Sequence, residues 1–466
     1  MASVGFPTTP STARQILFIW ASNRSYEKVL LSLFFFCVYT RDWLYPAAFE
    51  SMFILYLGYV GVIAAMIFPW GFLSICSFGW LCPRSKAVLH GILWATGAIA
   101  LVVVCEQVSP SPFHETPRPF VVILFAASYL WMLMGFRMAD HAERVQWLLS
   151  KTAFFLAILC VIAAFFRVTG MELTVFASFP GWQMRLVFLF PYTWYLTRWL
   201  LRRTDYDALV GLIASSLEVW GGLHKPIVFS AAISTLFIVW SVTRFKSSRA
   251  VAKVMGLVFA TLGGTWAIDV AIANGSVSSQ IRTFVVEKVF HEDRSSSLSM
   301  GWDDLFVQFT GGRLQLWELA VERFQASPWI GSGFEQNFPA FINNEDNDCQ
   351  NVEIEVPCHN GYLDLMLSIG VLGFLPLAAV VFRGMSRMYN TSSNPAIKLI
   401  QIAAGGYLVA IAAFNLGGTS RVFIAGSLLP AFVLGIGLRL AAGSDATDSL
   451  PSCKPRFPSD CRVRHQ

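Results

Sequence analysis

Apolar runs of about twenty residues, each bounded by charge or proline, recur along most of this 466-residue chain. As a helix rising about 1.5 Å per residue, such a run crosses the roughly 30 Å hydrocarbon core of a bilayer. Runs at 28–44, 46–68, 87–105, 118–137, 147–167, 182–201, 206–222, 225–242, 250–272, 361–382, 397–416 and 421–440 predict about twelve transmembrane helices. Composition agrees: 55% of residues are hydrophobic, 14% are charged and mean hydropathy is +0.56. A soluble domain carries about a quarter charged residues. The fold class predicted is an all-α integral membrane protein.

The formal charge of +5 is modest and gives no reason to invoke nucleic acid. Basic residues of the short loops instead alternate between two sides. Fifteen, among them Arg84, Arg144, Arg202, Arg244 and Arg383, fall on one side, and five (Arg41, Arg118, Arg167, Lys225 and Arg421) on the other. The richer side is cytoplasmic by the positive-inside rule. Both termini are then inside, and a large loop at 274–360 is outside. The segment 69–82 is apolar enough to be re-entrant; taken as a span it would break the alternation. The N-terminus carries no cleavable signal pattern, because Ile16–Trp20 is too short an apolar run. The chain divides into spans 1–9 (1–273), the outer loop (274–360), spans 10–12 (361–440) and a proline-bearing tail (441–466) expected to be a disordered cytoplasmic end.

Chemistry is expected in the loop. Residues 295–299 and 343–351 read as irregular and exposed. Between them, residues 313–324 place Leu316, Leu319, Ala320 and Phe324 at the spacing of one helical face, after Gly311-Gly312 and before Ser327-Pro328. This helix is expected to lie over the membrane surface. No Cys/His metal spacing and no Asp-x-Asp motif occurs. Most cysteines lie in apolar stretches, but Cys349 and Cys358 lie in the loop and could pair in an oxidising space.

Arg313, in the first turn of that helix, combines a guanidinium fork with free backbone N–H groups, a geometry suited to phosphate; an exposed interfacial arginine is the alternative. His359, in Pro357-Cys358-His359-Asn360-Gly361, stands at the outer mouth of a span, where a neutral imidazole suits general-base work on a hydroxyl. A histidine that merely caps the helix is the alternative there. Arg185 and Lys225 sit at the outer ends of spans and either meet an anion or snorkel to headgroups. Glu218 and Asp269 are candidate internal counter-ions. Trp302, Trp317, Trp329 and Phe334 suit stacking on sugar rings or an aromatic belt.

In combination, Gly312-Arg313-Leu314-Gln315-Leu316-Trp317, Ser327-Pro328-Trp329-Ile330-Gly331-Ser332-Gly333-Phe334, His359-Asn360-Gly361-Tyr362-Leu363 and Ile369-Gly370-Val371-Leu372-Gly373-Phe374 resemble the signature of the O-antigen ligase and Wzy-type polymerase superfamily. The resemblance implies a GT-C-like glycosyltransferase of the bacterial inner membrane with a periplasmic active site. Such an enzyme moves a sugar chain from an undecaprenyl-diphosphate donor to an acceptor hydroxyl, without metal or nucleotide sugar. By position, Arg313 would bind the diphosphate and His359 would activate the acceptor. Arg185 matches one basic position of the family, and Lys225 stands where the family often has arginine. Lysine keeps the charge but loses the bidentate fork.

The implied acceptor is another lipid-linked glycan for a polymerase or lipid A core for a ligase. The stretch HNGYLDLMLSIGVLGF lies closer to the exopolysaccharide-polymerase branch. A chain-length regulator and a flippase are plausible partners on that reading. A transporter of lipid-linked sugars would suit twelve spans equally, but it needs ionisable groups at mid-membrane, whereas these cluster on the outer side.

Overall fold

A computed structural model describes residues 142–169, 182–202, 205–221, 225–243, 313–332, 337–342, 352–358, 360–388, 394–417 and 428–444, with isolated positions near 132–139 and 252–263. Along the described chain run α1 (Ala142–Thr169), α2 (Trp182–Leu201), α3 (Tyr206–Val219), α4 (Lys225–Thr243), α5 (Arg313–Ala326), β1 (Asn337–Ile342), β2 (Val352–Pro357), α6 (Gly361–Met388), α7 (Pro395–Gly417) and α8 (Leu428–Ser444). The expected spans at 28–44, 46–68 and 87–105, and nearly all of 118–137 and 250–272, lie outside the described residues.

In lipid the helix ladder must satisfy every backbone polar group, so a helix there can be apolar on all sides. α1 shows this directly. Val145, Leu149, Ala153, Leu156, Cys160 and Ala163 face the bundle, while Phe154, Ile158, Val161 and Phe165 point outward on the reverse side. Its Thr152 hydroxyl donates to the Leu148 carbonyl at 2.9 Å, which removes the one polar side chain from the buried face.

α7 is the central helix. Ile400, Ala403, Tyr407, Ala410 and Ile411 are buried on it, against α2, α4 and α6. The Tyr407 ring meets Phe190 of α2 edge-on at 5.3 Å between centroids, an arrangement favoured by the ring quadrupoles. Between α2 and α4 the Tyr192 and Thr235 hydroxyls share a hydrogen bond of 2.6 Å. At the other end of α2, Arg198 grips Asp205 through Nε and Nη2 at 2.6 and 3.2 Å. Asp205 also caps α3 by accepting from the Ala208 N–H at 3.0 Å, the usual work of an N-cap carboxylate.

Four helices among the described residues are long and apolar enough to cross a bilayer: Val145–Phe165, Pro226–Thr243, Gly361–Ser386 and Pro395–Leu416. The run at 206–222, expected as a full span, instead forms a helix of 14 residues. That is about 21 Å long, short of the core thickness. α8 contributes a shorter apolar stretch, Leu429–Leu440.

The all-α expectation holds for the bundle and fails in the loop. There β1 and β2 pair antiparallel, from Asn337↔Pro357 to Ile342↔Val352. Val352-Glu353-Ile354-Glu355-Val356 alternates β-branched and acidic residues, a period of two that marks a strand. The charge content of this stretch masked the alternation. Pro339 and Pro357 are tolerated because each strand of a lone pair is an edge.

Candidate active site

α5 turns its apolar side onto other parts of the chain. Leu316 and Ala320 are buried against Cys358 and Leu367, with Trp317, Phe324 and Leu363 packed around them. Leu319, expected on the same face, is exposed. The docking partner is the first half of α6, whose Leu363 and Leu367 lie four residues apart on one helical face.

Hydrogen bonds fix the register of this pair. The Trp317 indole N–H donates to the Cys358 carbonyl at 2.9 Å. Eleven residues further along, the Val371 N–H donates to the Pro328 carbonyl at 2.9 Å and the Leu372 N–H to the Trp329 carbonyl at 3.1 Å. Contacts therefore advance in the same sense along both segments, and α5 and the first half of α6 run side by side in one direction. Their starts, Arg313 and Gly361, lie at the same end.

α6 is broken at Gly370, which has φ 59° and ψ −174°, a region essentially reserved for glycine. A broken helix leaves N–H groups without their usual acceptors. The turn after α5 supplies those acceptors through the Pro328 and Trp329 carbonyls, while the Ser332 N–H donates to the Leu367 carbonyl at 2.5 Å. Gly331, at φ 80°, sits inside this clamp. The two glycine-bearing motifs of the sequence, Ser327–Ser332 and Ile369–Leu372, are thus the two sides of one joint.

Asn360 caps α6. Its side-chain oxygen accepts from the Tyr362 and Leu363 N–H groups at 3.0 and 3.2 Å, and its carbonyl accepts from Asp364 at 2.9 Å. The Tyr362 hydroxyl donates to the Ala412 carbonyl of α7 at 2.9 Å. Gly361 lies so close to Asn415 that a Cβ there would come within 2.8 Å of its Cγ. The start of α6 is thereby tied to the last turns of α7.

Cys358 is a free, buried thiol, so the pairing with Cys349 considered from sequence is not formed; Cys349 itself lies outside the described residues. Its Sγ donates to the Asn360 carbonyl at 3.3 Å. Burial, with the nearby Asp364 charge, pushes the thiol up to about 12, so it stays protonated at neutral pH.

Among the sequence candidates, Arg313 opens α5, Lys225 opens α4 and Arg185 lies in the first turn of α2. The backbone is the described part of all three. Three cations at the start of helices stand opposite to the usual dipole preference for acids there, in a first turn whose N–H groups have no acceptor within the helix. His359, Trp302, Phe334 and Asp269 lie outside the described residues. Trp317 is turned into the α5–α6 seam, and Trp329 is 65% exposed beside the joint. Glu218 is buried near the end of α3.

α2 and α3 run antiparallel, with Arg198 on Asp205, Tyr195 on Gly211 and Tyr192 on Trp220. Thr235 of α4 meets Tyr192 in the middle of α2, about 15 Å along α4 from Lys225 and about 10 Å along α2 from Arg185. α7 packs on the same helices, with Tyr407 on Phe190 and Gly406 beside Ile238 and Thr193. The last turns of α7 are tied to the start of α6, and the Cys358 carbonyl just before that start holds Trp317, one turn after Arg313. Sequence reasoning did not anticipate this pairing of the α5 and α6 starts, because no spacing reports which helix starts are neighbours.

The family model described as O-antigen ligase matches residues 209–378, a stretch that runs from α3 through the joint in α6. No curated protein sequence matches the chain. The matched residues include Lys225, Arg313, Trp317 and His359. Over residues 209–378 the chain is thus similar to the O-antigen ligase family.

Proposed function

We propose that this protein is an inverting membrane glycosyltransferase. It moves a glycan from an undecaprenyl-diphosphate donor to an acceptor hydroxyl at the periplasmic face and polymerises exopolysaccharide or O-antigen repeat units. The observation that carries this reading is the docking of α5, which opens at Arg313, beside the Cys358–Asn360 segment that enters α6, within the stretch that matches the O-antigen ligase family model.

The chemistry follows from the charges. A diphosphate is already a good leaving group, so the enzyme must neutralise its growing charge and orient the attacking oxygen. Arg313 supplies a bidentate fork, and Arg185 and Lys225 supply further positive charge. Each charge-assisted hydrogen bond contributes about 1.5–3 kcal/mol. His359 takes the proton of the acceptor hydroxyl as that oxygen attacks the anomeric carbon. The carbon–oxygen bond to the diphosphate breaks, the electron pair leaves with the diphosphate, and one displacement inverts the linkage. Trp302, Trp329 and Phe334 stack on the sugars in this reading. No step requires a cofactor.

A second reading, transfer to lipid A core, is favoured by the description of the matching family as O-antigen ligase. Purified protein in liposomes, given lipid-linked repeat unit from its own host, distinguishes the two. A ladder of longer chains that is lost with His359→Ala supports polymerisation. Product formed only after lipid A core is added supports ligation, and no product with either acceptor overturns the assignment.

A further inference from the structure

We infer that Trp317 and Cys358 are positioning residues that hold the peptide leading into position 359, with Trp317 acting through its indole N–H and not as a surface for sugar. This rests on the glycosyltransferase reading above, in which His359 is the base.

Position 359 lies between two residues whose backbone is bonded from several sides. The carbonyl that precedes it, of Cys358, accepts the Trp317 indole N–H at 2.9 Å. The carbonyl of the residue that follows, Asn360, accepts both the Cys358 thiol at 3.3 Å and the Asp364 N–H at 2.9 Å. The Asn360 side chain is itself spent on the cap of α6.

A peptide group is planar, so fixing the carbonyl of residue 358 fixes the amide plane that enters residue 359. A general base gains from such fixation, because small misplacements of a catalytic group are costly in rate. Trp317 is suited to the task. Its ring is packed in the seam with Leu316, Ala320 and Leu367, and its single donor is committed. It also stands one turn after Arg313, about 6 Å along α5. One side chain thereby couples the helix that begins with the diphosphate-binding arginine to the strand exit that carries the base. Cys358 contributes a protonated thiol in a buried place, where a neutral donor to the Asn360 carbonyl carries no charge to desolvate.

The test replaces Trp317 with benzothienylalanine, which keeps the ring shape and removes the N–H, alongside Trp317→Phe, Cys358→Ser, Cys358→Ala and His359→Ala. Full-length protein in liposomes is assayed with lipid-linked oligosaccharide from its own host, and thermal unfolding is followed in parallel. Losing one net hydrogen bond should lower kcat about fivefold, with donor KM unchanged and only a small fall in unfolding temperature for benzothienylalanine. Cys358→Ser, which keeps a donor, should retain the kcat that Cys358→Ala loses. Wild-type kcat in the benzothienylalanine protein, with His359→Ala inactive, overturns the inference and leaves the catalytic reading standing. A rise in KM alone makes Trp317 a substrate contact and also overturns it. Activity in His359→Ala removes the catalytic reading and the inference together.

Discussion

Gly331 and Gly370 are reciprocal: each occupies the space that a side chain on the other's segment would need. A Cβ on Gly331 would lie 2.6 Å from the Gly370 nitrogen, and a Cβ on Gly370 would lie 2.5 Å from the Gly331 nitrogen. Both have positive φ, 80° and 59°. The obstructing atoms are backbone, so no rotamer change relieves the clash.

Gly370→Ala and Gly331→Ala should therefore each destabilise the protein by about 2–4 kcal/mol, combining conformational strain with the clash. The double variant should cost clearly less than the sum, because both changes open one joint. Thermal unfolding in detergent checks this, and additive losses would show that the joint is not shared.

Arg313→Ala should lower transfer about 10- to 150-fold, the worth of one charge-assisted hydrogen bond. His359→Ala should lower it about 10²- to 10⁴-fold, as expected for loss of a general base. Membrane levels of both proteins should be normal. Single-turnover rates with lipid-linked donor report the change, and wild-type rates would remove that residue from the site.

Arg185→Ala should weaken donor binding and raise KM, while Lys225→Arg should leave activity near wild type if charge alone matters at that position. Retention of full donor affinity in Arg185→Ala would mean that this side chain reaches the headgroups and not the donor.

Asn360→Ala should cost about 1 kcal/mol, the usual worth of an N-cap side chain. Asn360→Asp or Asn360→Ser, which can accept the same N–H groups, should recover most of it. Equal losses in all three would place the effect outside the cap.

Cys358 has its thiol raised from an ordinary value of 9.0 to about 12. The sign of the linkage is that of a group raised on folding. Its stabilising contribution is whole below about pH 9 and is lost as pH climbs from 9 to 12. Hydrogen exchange in α5 and the first half of α6 should accelerate across that window in the wild type and less in Cys358→Ala. At pH 7.5 the native thiol should resist maleimide, since the thiolate is the reactive form.

Periodicity and charge made the membrane bundle legible. The run at 182–201 matches α2 residue for residue, and 225–242 and 397–416 agree with α4 and α7 to within two residues. The α5 helix was equally visible, because its apolar spacing survives in a polar loop. Its docking face was misjudged at Leu319, since spacing defines a helical side and not the neighbour that covers it. The β1–β2 ribbon went unseen because Glu353 and Glu355 made a strand look like an exposed loop. Ser327–Ser332 and Ile369–Leu372 were both noticed as motifs, yet their union was not, because a joint between segments some forty residues apart leaves no local pattern.

The carbonyls of Pro328 and Trp329 have a bearing on how this chain is assembled. When α6 first enters lipid, the N–H groups of Val371 and Leu372 have no acceptor across the break at Gly370. In hydrocarbon each such group costs several kcal/mol. The helix can settle only after α5 and its turn, made earlier in synthesis, have docked on it. Settling of the later helix and completion of the preceding loop are therefore one cooperative event.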